Sequence, residues 1–186
     1  KGWNWRKNCR VYKAISEWKA PHSYGVDLNR NFSKFFVSSP HYNHYTWGGY
    51  SAFSEPETTH LRDYLNKCKI SLSLSLHAYG RYVSFPWWGN PKNKIPDYIR
   101  HIAIGKELKK KMPTYGLRTG CPYPISGNFG DWIYDKFRCI TFSIEIGDSF
   151  NPDFNTSEKW YKEIKEGISF ILLQATTSNK QSAVAE

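Results

Sequence analysis

Hydrophobic and polar positions alternate most cleanly over residues 70–79, ISLSLSLHAY, where Leu and Ser trade places with a period of two. That period matches the two faces of a strand, so one face is expected to be buried, and His77 falls where the alternation breaks. A second strand is predicted over 139–148, CITFSIEIGD, rich in β-branched and aromatic residues and carrying Glu145 near its end. Elsewhere the period is helical. In residues 54–68, SEPETTHLRDYLNKC, Leu61, Tyr64, Leu65 and Cys68 share one face, with Ser54 as the expected N-cap, Pro56 in the first turn and Glu57 placed to complete a capping box. Residues 95–112 read as a second helix closed by Pro113, residues 127–137 as a short helix after a turn-rich loop, and residues 157–173 as a last amphipathic helix. The closing stretch 176–186 has little to bury and is expected to be a flexible tail, leaving 1–175 as one folded unit.

Strands alternating with helices predict an α/β layered domain around a largely buried sheet. Ligand sites in such sheets gather beyond the strand ends. His77 and Glu145 each lie near the C-terminal end of a predicted strand, and so does the pair Asn29-Arg30 in GVDLNRNF, residues 25–32. No internal repeat or linker divides the chain.

Composition narrows the class. Apolar residues at 40% and charged residues at 23% are ordinary for a globular protein, and 186 residues can bury a substantial core. Aromatic residues at 17% suit a thick core or a cleft lined with rings and exclude a disordered chain. The formal net charge of +10 raises nucleic-acid binding as a function class. No zinc-finger spacing, phosphate-cradling glycine loop or RNP-like motif accompanies it, so a solvated basic face suited to acidic partners is expected, with no specific nucleic acid. Cys9, Cys68, Cys121 and Cys139 form no CxxC pair; two disulfides in any of three connectivities, or buried free thiols, remain open. No apolar run reaches membrane-spanning length, so no membrane association is expected. The chain opens on KGWNWRKN without initiator Met or signal peptide, as an internal stretch would.

Each candidate residue has two readings. His77 is either a hydrogen-bonded structural residue or a ligand. Glu145, inside an apolar strand, is either half of an ion pair or a general base whose proton affinity burial raises. Arg30 either ties to Asp27 or a backbone carbonyl, or clamps a carboxylate through two parallel hydrogen bonds with Asn29 as a directional donor. Tyr123 stands in a Pro/Gly-rich loop of the kind that moves over a site, or simply packs at the surface.

The order of these pieces resembles that of the zinc carboxypeptidases, the A/B-type metallocarboxypeptidases. The resemblance rests on WRKN (5–8), GVDLNRNF (25–32), YSAFSEPET (50–58), SLHAYG (75–80), YPISGNFGDW (123–132) and FSIEIGD (142–148), in the family's order and over nearly the whole chain. It implies a mixed, mostly parallel sheet flanked by helices, incomplete at its N-terminus. It also implies a secreted enzyme that uses zinc to release single C-terminal residues from peptides and proteins with a free C-terminus. Carried over by position, His77 resembles the third zinc ligand, and Glu145 the general base. Arg6 resembles the cation that stabilises the oxyanion, Asn29 and Arg30 the grip on the terminal carboxylate, and Tyr123 the tyrosine that closes over it.

Three departures matter. The His-x-x-Glu pair that supplies the other two ligands is absent: none of His22, His41, His44, His60, His77 and His101 has Glu three residues later. In the family that pair precedes the WRK stretch, so the missing N-terminal part of the domain is an expected partner. This chain alone is expected to be inactive, and a non-catalytic module that binds peptide C-termini is the alternative. The cysteines that many animal members carry near the GVD segment are also unmatched, with Tyr24 and His41 in their places. Gly130 stands at the position where the family's specificity residue lies. An uncharged residue there, helped by Trp87 and Trp88, leans toward apolar or aromatic substrate ends.

Overall fold

A computed structural model of the chain describes residues 6–10, 25–38 and 44–183. Trp5, Tyr24 and His41 therefore lie outside the described residues. In chain order the elements are α1 (Pro56–Leu65), β1 (Leu72–His77), β2 (Tyr82–Phe85), α2 (Tyr98–Lys111), β3 (Gly116–Thr119), α3 (Phe129–Phe137), β4 (Ile140–Glu145) and α4 (Phe154–Ala183), with a 3-10 turn at Leu28–Arg30. The strands form one sheet in the order β1-β4-β2-β3. β1 runs parallel to β4 and β2 parallel to β3, while β2 and β4 are antiparallel, giving the mixed, mostly parallel sheet expected.

The period-two pattern divides the sheet by chemistry. Ile140, Phe142 and Ile144 of β4 and Val83 and Phe85 of β2 enter a core with Leu108 of α2, Met112 just past its end, and Ile164 and Ile171 of α4; Leu72 and Leu74 of β1 pack against it. The intervening residues leave the other face. Register pairs Ser73 with Thr141, Ser75 with Ser143 and His77 with Glu145, while Ser84 and Tyr82 of β2 oppose Ser143 and Glu145. Small hydroxylated side chains on that face fill little space, so the sheet has a hollow there. A second cluster, around Phe32, Trp132, Ile133 and Cys139, anchors α3 beside it.

Several boundaries differ from the sequence reading. Ser54 does not cap α1; Glu55 is the cap residue and makes no side-chain capping bond. The Ser54 hydroxyl instead bonds the Glu55 carboxylate at 2.8 Å and accepts from the Asn31 amide at 2.9 Å. β2 and β3 are strands of four residues that carry too short a pattern to register in sequence. α4 begins three residues earlier than expected, where Asp153 Oδ1 accepts the Thr156 amide at 2.8 Å. It also continues to Ala183, so most of the stretch expected to fray extends the helix. All four cysteines are free thiols, Cys121 and Cys139 buried, so the thiol alternative describes this chain. Among the described residues, no helix is long and apolar enough to cross a membrane.

Candidate active site

The hollow on the hydroxylated face of the sheet opens into a cavity of about 410 Å³. Arg6, Asn29, Arg30, His77, Tyr123, Gly130 and Glu145 all line it, so the seven residues singled out in the sequence converge on one space. His77 and Glu145 end neighbouring parallel strands in direct register, which puts their side chains on the same face about 5 Å apart at the backbone. Their adjacency follows from strand pairing between segments that lie far apart in the sequence.

The cationic wall is organised by Asp27, which is 2% exposed. Its carboxylate accepts from Arg6 Nε at 2.5 Å and from the Asn29 amide at 3.1 Å, and stands 3.9 Å from Arg30 Nη1. Arg30 Nη1 also donates to the Asn29 carbonyl at 2.7 Å. Both ties that a purely structural arginine would make are therefore present, and they fix the guanidinium at the cavity wall. Asn29 Oδ1 accepts the Phe129 amide at 2.9 Å, at the start of α3, which joins the 3-10 turn to the far wall. Asn31 differs. It is fully buried, its amide donating to the carbonyls of Gly48 and Ser51 and its Oδ1 accepting from Thr58, so it braces the loop ahead of α1 and does not face the cavity.

Charge and burial set the protonation states. Burial raises Glu145 to about 7, with the Arg6 cation opposing the rise. Burial lowers His77, and the positive charges of Arg6 and Arg30 add to that effect against Asp27, so its neutral, metal-binding form prevails at neutral pH. Burial also lowers Arg30, which remains cationic because a guanidinium starts so high. Tyr123, 62% exposed at the cavity mouth, is pushed up by burial first and then by Cys121, with Arg30 pulling the other way.

Sequence reasoning passed over part of the lining. Tyr82 belongs to a strand it did not predict, and Cys121 had no partner signal. Ser75 and Ser143 were visible only as the polar half of an alternation whose apolar half drew attention; all four line the cavity. Tyr79 and Phe150 pack edge to face at its rim, with ring centroids 4.8 Å apart. The role of Asp27 as the shared anion is a tertiary fact, since its two guanidinium neighbours come from separate segments.

An arginine pair set around a buried anion, next to a raised carboxyl and a neutral imidazole at strand ends, gives the cavity a cationic wall and a group able to exchange a proton near neutral pH. Comparison with known proteins makes this specific. The zinc carboxypeptidase family profile matches residues 2–167, and the chain belongs to that family. It is 30% identical over 173 residues to human carboxypeptidase B2, covering 86% of this chain and 41% of the relative. It is 32% identical over 161 residues to human mast cell carboxypeptidase A, covering 78% of this chain and 38% of that protein. The crystal structure of carboxypeptidase A from Helicoverpa armigera superposes with a TM-score of 0.81 at 25% identity, over 95% of this chain and 47% of that one. The chain thus spans less than half the length of each of these three proteins.

The family implies zinc. A catalytic zinc takes three protein donors and keeps a fourth position open. Among the described residues, no group of three or more His, Cys, Asp or Glu side chains is arranged to hold a metal. Among the described residues lining the cavity, His77 is the one imidazole, so these residues do not hold the ion by themselves.

Proposed function

We propose that the full-length protein is a metallocarboxypeptidase that releases single C-terminal residues from peptides and proteins, with apolar or aromatic ends favoured. This chain would supply the substrate grip and the proton-transfer group. Convergence of Arg6, Arg30, His77 and Glu145 on one cavity is the observation that carries the reading. Arg30, with Asn29 beside it, binds the terminal carboxylate by charge-assisted hydrogen bonds. An internal peptide bond has no carboxylate there and leaves the clamp unpaired, which selects for chain ends. Tyr123 covers the bound end. Arg6 faces the scissile carbonyl and stabilises negative charge developing on its oxygen. Glu145 takes a proton from the attacking water and delivers it to the departing amine nitrogen. His77 is assigned as one zinc ligand, the other donors coming from residues beyond those described. We place the protein outside the cell, to be checked by recovering it from culture medium.

The test is hydrolysis of blocked dipeptides ending in Phe or Lys by the full-length protein, with and without a chelator, beside the same peptides amidated. The reading requires cleavage of the free acids, loss of cleavage with chelator and little turnover of the amides. Equal turnover of acids and amides would refute the carboxylate grip. Binding of free acids without any cleavage would establish the non-catalytic peptide-binding module instead.

A further inference from the structure

The specificity position of this cavity carries no side chain, and a neighbouring residue occupies its room. A Cβ built on Gly130 would lie 2.5 Å from Trp88 Cζ3, 3.1 Å from Cε3 and 3.2 Å from Cη2. The edge of the indole therefore rests directly on the Gly130 backbone, and both residues line the cavity. The ring is not free to swing away. The Trp88 amide donates to Asp131 Oδ1 at 2.9 Å, its carbonyl accepts the Ile125 amide at 2.9 Å, and its Nε1–H donates to Ser84 Oγ at 2.9 Å. Only 6% of Trp88 is exposed. Consecutive residues thus cooperate: Gly130 vacates the space, and Asp131 pins the backbone of the residue that fills it.

The chemistry of that wall follows. Ser84 opposes Ser143 in the sheet, two residues along β4 from Glu145, so the indole Nε1 is tied to the sheet about 7 Å along the strand from the level of Glu145. The same cavity is lined by Ser143, Cys121 and Gly130, none of them charged, and Glu145 is the one carboxyl among its described lining residues. Asp131, the acid next in sequence, is fully buried. Its Oδ1 accepts the Trp88 amide, and its Oδ2 accepts the Gly89 amide at 2.6 Å and the Asn128 side chain at 2.8 Å, so both oxygens are engaged away from the cavity.

Building on the carboxypeptidase reading, we propose that Trp88, in place of residue 130, is the specificity-determining side chain. Its indole sets the depth and the apolar character of the subsite and restricts substrates to peptides ending in an uncharged, apolar residue. A terminal Lys or Arg would bring its charge against a ring and two serines, with Glu145, assigned to the proton transfer, as the one carboxyl among the cavity's described lining residues. An acid placed at 130 alone could not reach that charge, because the indole already stands in its path.

The experiment titrates blocked dipeptides ending in Phe, Leu, Ala or Lys into the full-length protein. Binding is read by calorimetry with the metal chelated, and kcat/KM is read with the metal present. The wild type, which needs no variant to fold, is expected to favour Phe or Leu over Lys by about 100-fold or more. Trp88→Gly deepens the subsite and should raise the Phe-to-Ala ratio by about tenfold. Gly130→Asp should weaken every end without gaining Lys, whereas Trp88→Gly with Gly130→Asp should turn preference to Lys. A wild type that prefers Lys, a Trp88→Gly variant with an unchanged Phe-to-Ala ratio, or a Gly130→Asp variant that alone becomes Lys-selective would each overturn the proposal while leaving carboxypeptidase activity and the carboxylate grip intact; the first would also overturn the preference for apolar ends. Failure to bind or cleave any free-acid peptide would overturn both.

Discussion

Gly147 follows Glu145 by two residues, and replacing it with Ala gives a sharp test of how the end of β4 is held. Its φ of +64° lies in the left-handed region, where an L side chain costs about 1–2 kcal/mol. The added Cβ would also stand 2.4 Å from Trp160 Cδ2 and Cε3. Trp160 is 5% exposed, so its ring has no solvent to move into, and overpacking of this kind costs about 1–3 kcal/mol. The backbone cannot easily absorb the strain, because the Gly147 amide donates to Tyr115 at 3.2 Å and its carbonyl accepts from Gly80 at 2.9 Å. The two contributions predict a loss of about 2–5 kcal/mol, a large share of a typical domain's stability. With a urea slope of about 2 kcal/mol/M, the unfolding midpoint should fall by roughly 1–2.5 M. Gly116→Ala is the control. No left-handed φ is involved, and the nearest atom to its Cβ is Tyr82 Cβ at 3.6 Å, an ordinary contact. That variant should lie within about 1 kcal/mol of wild type. If Gly147→Ala shifts the midpoint no further than Gly116→Ala, the argument from Trp160 is wrong.

Further outcomes follow from the same geometry. Glu145→Gln keeps the shape of the side chain but accepts no proton, and should lower kcat by about 10²–10⁴-fold with little change in peptide binding; an unchanged kcat would remove Glu145 from the proton transfer. Arg30→Ala should weaken binding of free-acid peptides by about tenfold to 100-fold and leave amidated peptides nearly unaffected; calorimetry on matched pairs decides. His101 is fully buried, with Nε2 accepting the Thr141 amide at 3.2 Å and Nδ1 facing Asp97 at 3.3 Å, and burial lowers its pKa below the usual histidine value. A base with a lowered folded pKa stabilises fully above about pH 6.5 and loses that contribution as pH falls through the folded value. Wild-type stability should therefore fall on the acid side more steeply than that of His101→Gln, as measured by urea midpoints between pH 7.5 and pH 5; parallel curves would exclude His101 as a source of acid sensitivity.

What the chain's linear order determined was the local grammar. The Leu–Ser alternation placed Leu72 and Leu74 of β1 against the core, because a strand presents alternate residues to opposite sides, while Leu76 at the strand's end is 50% exposed and Ser73 on the other face is buried. The run ITFSIE marked a strand buried among neighbours, and β4 is central in the sheet. Six short motifs in order located every residue singled out for the site. The four-residue strands β2 and β3 escaped because their pattern is too short to stand out, and the helical continuation to Ala183 because weak apolar spacing says little about where a helix stops.

Only the tertiary structure decided what these residues do to one another. Strand pairing between segments distant in sequence set His77 beside Glu145, and the fold brought Arg6 from a separate segment to the carboxylate of Asp27, which Arg30 already neighbours along the chain. The same holds for Gly130. Read alone it signals an uncharged pocket, while in space it is the gap that Trp88 fills. Packing and electrostatics act over a few ångströms through space, and a sequence records distance only along the chain.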